Sequence, residues 1–159
     1  MSKNRPFRAQ LPRKPAAGDE IVIRGKLKHN ARWFSVNFCL PRPPHVPDDQ
    51  TPPFIAYHFK TIFHDDGSSA VIHNYKNEVW QAESVEQNYW MMDRNEKFTL
   101  IFRFHDEVFK VFAEDTQHTP DYEFTHQIPF DMVEQIELWD DIEFVEEIAF
   151  RYQHDDIDH

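Results

Sequence analysis

Apolar and polar residues alternate with a period of two along most of the chain. Ile21/Ile23, Phe34/Val36/Phe38, Ile55/Tyr57/Phe59, Phe98/Leu100/Phe102/Phe104, Phe109/Val111 and Ile136/Leu138 each place their apolar side chains on one face of an extended segment. This is the pattern of half-buried strands. Turn-forming clusters separate the runs, among them His64-Asp65-Asp66-Gly67-Ser68 and Asp93-Arg94-Asn95-Glu96. Short alternating strands between turns predict an all-β chain folded as an antiparallel β-sandwich. The best helical candidate, residues 140–150, is rich in β-branched and aromatic side chains and reads as a further strand.

Residues 41–53 carry prolines at 41, 43, 44, 47, 52 and 53, which lack the ladder donor and fix φ, so the segment must be a loop. It lies just before the strand of His58 and is expected to border whatever that strand presents. The organisation that follows is simple: residues 1–17 join the sandwich as a basic, Pro-punctuated segment, 18–150 form the domain, and 151–159 form an acidic tail without a core pattern.

A chain of 159 residues is one ordinary domain, large enough to bury its own core. Its 15 Phe and 11 Pro beside only 3 Gly suit a sheet protein with few helices. With 17 basic against 28 acidic residues the net charge is −11, so long-range steering repels nucleic acid and anionic membranes. Neither is expected as a partner, and no apolar run has the length of a membrane span. The single cysteine, Cys39, has no internal disulfide partner and alternates onto the face opposite Phe38. With no charged-then-apolar leader and no Asn-x-Ser/Thr acceptor, the chain is expected in the cytosol.

Reaction chemistry finds little support. No serine occupies a nucleophile elbow, Cys39 lacks a motif partner, and three glycines build no phosphate loop. Glu146 and Glu147 alternate onto opposite faces, so an enzyme is not expected. The histidines at 154 and 159 in the acidic tail offer no fixed geometry for zinc, and His64-Asp65-Asp66-Gly67 supplies too few oxygens for a calcium loop. No cofactor is expected.

One constellation stands out: His58-Phe59-Lys60-Thr61-Ile62-Phe63, then Val71-Ile72-His73-Asn74, then Trp80-Gln81-Ala82-Glu83-Ser84-Val85. It resembles the site of the galectins, β-galactoside-binding lectins of a single sandwich domain, in which one strand carries His-x-Asn-x-Arg, a second an Asn, and a third segment Trp-Gly-x-Glu-x-Arg. The resemblance continues through Gly18 to Gly25, Phe34 to Phe38, Phe98 to Phe102, Phe109 to Val111 and Phe124-Thr125-His126, so it covers nearly the whole chain.

The resemblance implies a jelly-roll sandwich whose concave sheet receives sugar. His58, Lys60, Asn74, Trp80 and Glu83 are the implied carbohydrate-binding residues. Trp80 would stack flat on the apolar face of galactose, and His58 would read its axial hydroxyl from the other side. Asn74 and Glu83 match family residues that contact the primary hydroxyl. Lys60, Ile62 and Val85 depart from the pattern, standing where the family has Asn and two Arg. Losing two charge-assisted donors, each worth roughly 1.5–3 kcal/mol, weakens ordinary lactose binding on the order of a hundredfold or more.

Lys60 is placed by alternation to pair with Glu83 instead. Two functions stay open: a lectin for a galactoside or altered glycan, with glycans or glycoproteins as partners, and a protein-interaction module that has lost galactoside binding. The resemblance also implies a homodimer through edge strands, and action outside cells after unconventional export.

Overall fold

The computed structural model describes residues 6–153. Twelve strands form two antiparallel sheets. The seven-stranded sheet holds β1 (Phe7–Gln10), β3 (Trp33–Cys39), β4 (Phe54–Phe63), β5 (Ser69–Asn77), β6 (Val79–Trp80), β7 (Ser84–Gln87) and β11 (Gln135–Asp140). Its order is β1-β11-β3-β4-β5, and β6 and β7 share the free edge of β5. The five-stranded sheet runs β10-β9-β8-β2-β12, from β2 (Glu20–Leu27), β8 (Phe98–Phe104), β9 (Val108–Ala113), β10 (Tyr122–Thr125) and β12 (Ile142–Arg151). A single 3-10 turn at Phe130–Met132 is the helical element among the described residues.

The alternating apolar residues face one another across the sandwich. Phe38 packs on Phe102 and Phe109 with ring centroids 4.8 and 4.9 Å apart, and Tyr57 stacks on Phe124 at 4.6 Å. Ile21, Ile23, Phe34, Val36, Phe59, Leu100, Ile136 and Leu138 are buried with them. Edge-to-face and offset ring pairs of this kind add to the area each ring removes from water.

A short polar chain crosses this layer. The Tyr57 hydroxyl donates to His73 Nδ1 at 2.7 Å, and His73 Nε2 lies 2.7 Å from Glu86 Oε2. Burial holds the His73 pKa below its ordinary value against the pull of Glu86.

Residues 142–151 are strand, as the side-chain types suggest. Register shifts at Ile142/Phe144 and Val145/Glu147 explain the helix-like spacing. Each bulge inserts an extra residue, so inward residues fall at Ile142, Val145 and Ile148, three apart instead of two. Gly25 lies opposite, where a Cβ would meet the Phe144 carbonyl oxygen at 2.6 Å. The His64 to Ser68 cluster is a hairpin turn: Gly67 adopts φ 90°, and Asp66 accepts from the Ser68 amide and hydroxyl.

The amino-terminal segment joins the sandwich through β1, which pairs with β11 from Phe7↔Leu138 to Gln10↔Gln135. At the other end, Gln153 donates its amide to Asp19. The tail histidines at 154 and 159 lie outside the described residues.

Candidate carbohydrate site

Ladder register fixes which side chains share the outer face of the seven-stranded sheet. One row runs Glu137, Asn37, His58, Asn74; the next runs Trp139, Ser35, Lys60, Ile72, Val85; a third runs Trp33, Ile62, Ala70, Gln87. Over the first two rows lies an open groove of about 440 Å³. Its lining includes His58, Lys60, Asn74, Trp80 and Glu83, so the five residues marked in the sequence come together. A volume of this size lies within the ordinary range of small-molecule sites.

The excursion carrying Trp80 and Glu83 follows from the way β6 and β7 share one edge. Lys76 pairs with Trp80 and His73 with Ser84, so Asn74 and Tyr75 face three residues, Gln81 to Glu83, instead of two. The surplus must leave the ladder. Asn74 clasps it: Nδ2 donates to the Gln81 carbonyl at 2.9 Å, and Oδ1 accepts from the Tyr75 amide at 2.8 Å. Asn74 thus positions the Trp80 segment.

His58 packs against Trp80 with centroids 4.5 Å apart. Its Nδ1 is 2.6 Å from Asn37 Oδ1 and donates to it, which leaves Nε2 as an acceptor. Burial first, and then the charges of Lys60 and Lys76, push the His58 pKa down to about 3. The ring is therefore neutral throughout the physiological range.

Because the unfolded state binds a proton near pH 6.5 and the folded state only near 3, His58 favours folding fully above about 6.5. Its contribution declines as pH falls toward 3. The His58 ring-proton shifts are expected to stay flat from pH 8 to 5 in an NMR titration. An inflection near 6.5 would contradict the burial argument.

Lys60 does not form the expected pair with Glu83. Its ammonium lies 5.3 Å from the centroid of the exposed Trp33 ring, the upper neighbour on β3, while Glu83 sits exposed at the groove rim. The reason is the excursion itself, which carries residue 83 away from the β5 edge. Trp80 remains 41% exposed, and Lys76 lies 5.3 Å from its ring while donating to Thr51 Oγ1 at 2.8 Å. Lys76 shares a face with Asn74 two residues on, the signal by which sequence reading would have found it.

Thr51 brings the Pro-rich loop to the groove, as its place in the chain suggested. Trp139, Ser35 and Asn37 are lining residues that the sequence reading missed. Cys39 is buried beside Glu137, and burial pushes its thiol well up, with Glu137 adding to the effect.

A family model described as galactoside-binding lectin matches residues 6–150. The chain belongs to the galectin family. It is 29% identical to galectin-4 of Rattus norvegicus over 138 residues and 30% identical to galectin-6 of Mus musculus over 139, each covering 87% of the chain. It spans 39% and 42% of those relatives' lengths.

Among solved structures, a human galectin-16 variant superposes with a TM-score of 0.72 at 20% identity, covering 93% of this chain and 96% of the other. Caenorhabditis elegans galectin LEC-6 gives 0.69 at 19%, covering 94% and 91%. At that identity these two speak for the sandwich fold alone, and the family rests on the sequence match.

Proposed function

We propose that this galectin-family chain is a non-enzymatic lectin that binds a galactoside-type or altered glycan in the groove over β3, β4 and β5. The observation that carries the reading is the convergence of His58, Lys60, Asn74, Trp80 and Glu83 on one groove. Trp80 presents an indole for a pyranose face, His58 Nε2 accepts from a hydroxyl, and Asn74 and Glu83 supply further polar contacts at the rim. Glycoproteins or free glycans are the implied partners, and no bond-making step is assigned to any residue.

A second reading has its own support. Ile62, Ala70, Ile72 and Val85 are neighbours on the outer face, and Val85 is 59% exposed, so the sheet edge offers an apolar strip where a sugar site would place charged donors. Such a strip suits a protein partner. A homodimer continuing the sheets across β1 and β12 belongs to the same proposal, as does residence in the cytosol with export to the cell exterior.

The test is an NMR titration with lactose into the millimolar range, following the indole N–H signals of the wild type and of Trp80→Ala. Saturable shifts of the Trp80 signal, lost in the variant, support the lectin reading. If lactose shifts no indole, the groove does not take the galactoside, and the reading passes to other glycans or to the protein-interaction module.

A further inference from the structure

We propose that His73 and Glu86 form a proton-operated latch that holds the groove end of β7 on the sandwich, so that acid frees this end and the Glu83 rim attached to it. The consequence for a glycan rests on the lectin reading above; the latch itself does not.

His73 points from β5 into the core, among the rings of Tyr57, Phe59, Tyr122 and Phe124. Glu86 reaches it from the outermost strand: the pairings His73↔Ser84 and Val71↔Glu86 place the inward residues of β7 beside those of β5. The half-exposed carboxylate lies 2.7 Å from His73 Nε2. At that distance it needs the ring proton on Nε2, which leaves Nδ1 to accept from the Tyr57 hydroxyl at 2.7 Å.

A second proton finds no such place. On Nδ1 it would meet the Tyr57 hydroxyl, whose own hydrogen must then turn toward the rings of Phe59, Phe102, Phe109 and Phe124. The titratable groups that face the imidazole are Tyr57 on β4, Glu86 on β7 and Tyr122 on β10. Burial raises both phenols, so they stay neutral, and Glu86 is the charge that acts on the ring. Burial outweighs that pull, so a state in which water reaches His73 binds the proton more readily and gains population as pH falls.

β7 is the element that can give this access, because all four of its residues are exposed. Its far end is pinned to the other sheet: Tyr122 donates to the Gln87 carbonyl and accepts from the Tyr89 amide, each at 2.7 Å. The near end, at Ser84, continues directly into Gln81 to Glu83, the residues that leave the ladder beside the groove. Opening therefore pivots about Gln87 and displaces Glu83, while Asn74 still holds Gln81. His58, with its pKa near 3, is silent in the range where this happens.

The experiment follows amide hydrogen exchange by NMR in the free protein at pH 7.5 and 5.5, corrected for intrinsic rates, in wild type, His73→Gln and Glu86→Gln. Wild-type β7 amides are expected to lose protection by up to about tenfold, the limit for one proton whose pKa in the open strand is about 6.5, while Tyr89 and β8 keep theirs. His73→Gln, which can still accept from Tyr57 but does not titrate, should show no such loss. Glu86→Gln, on the exposed edge, serves if His73→Gln does not fold: it should loosen β7 already at pH 7.5 and lower the midpoint of the His73 ring signals.

Wild-type β7 protection constant to within about twofold, a loss shared equally by β8, or a His73 midpoint at or above about 6.5 overturns the latch. Lactose affinity should also fall between pH 7.5 and 5.5 in wild type and hold in His73→Gln; an equal fall in both overturns the link to the rim. If lactose binds at neither pH, the galactoside form of the lectin reading fails, and the exchange measurement still decides the latch.

Discussion

The double variant Ile62→Arg, Val85→Arg is expected to bind lactose on the order of a hundredfold more tightly than the wild type, as two charge-assisted donors return. Val85 is 59% exposed on the free edge beyond β5, and Ile62 is half-buried with Trp33 and Ala70 as its ladder partners on the outer face. A guanidinium at 85 would stand two residues from Glu83 and give that exposed carboxylate a partner.

Each new bond is worth roughly 1.5–3 kcal/mol, and the pair is not strictly additive because both reach one ligand. Lys60 shares its face with position 62, and like charges there oppose the gain. Adding Lys60→Asn should therefore raise the affinity further. Calorimetric titration checks this, with circular dichroism to show that the variants fold. Lactose affinity unchanged in a folded double variant would mean that the apolar replacements are not what weakens the site.

The strands and the core were legible in the sequence because alternation is local: a two-residue period along Phe34/Val36/Phe38 or Ile55/Tyr57/Phe59 reports burial without knowledge of any neighbour. His58, Lys60, Asn74, Trp80 and Glu83 were legible for a different reason, since they fall within 26 consecutive positions whose spacing resembles the galectin pattern. What was hidden is what depends on distant pairing. The sequence marks Glu137 and Trp139 as outward by the same alternation that buries Ile136 and Leu138. It does not say that β11 lies against β3, a pairing that joins Trp139 to Ser35 across more than a hundred residues.

Lys60 shows the same limit. Strand alternation placed its ammonium on the correct face, and only the irregular edge at Gln81 to Glu83 decides that it meets Trp33 and not Glu83. In β12 the pattern itself was distorted, because bulges change the period that an extended chain would show.

Replacing Glu137 with Ala is expected to lower the unfolding free energy by about 3–5 kcal/mol. The carboxylate is fully buried and accepts from three donors: Arg8, Arg42 and the Trp139 indole. Removing it leaves two guanidiniums, each at most about a quarter exposed, without the charge that offsets their desolvation, and an indole N–H without its acceptor.

The damage is not local to β11. Arg8 also donates to the Asp48 carbonyl and Arg42 to that of Pro47, so the same carboxylate anchors β1 and the Pro-rich loop that carries Thr51 to the groove. Glu137→Gln keeps an acceptor for the indole but gives up the charge, and should fall between wild type and Ala. Denaturant unfolding reads the result as a lower midpoint at unchanged slope. A loss below about 1 kcal/mol in the Ala variant would show the guanidiniums reaching solvent on their own, leaving the carboxylate without the anchoring role assigned to it.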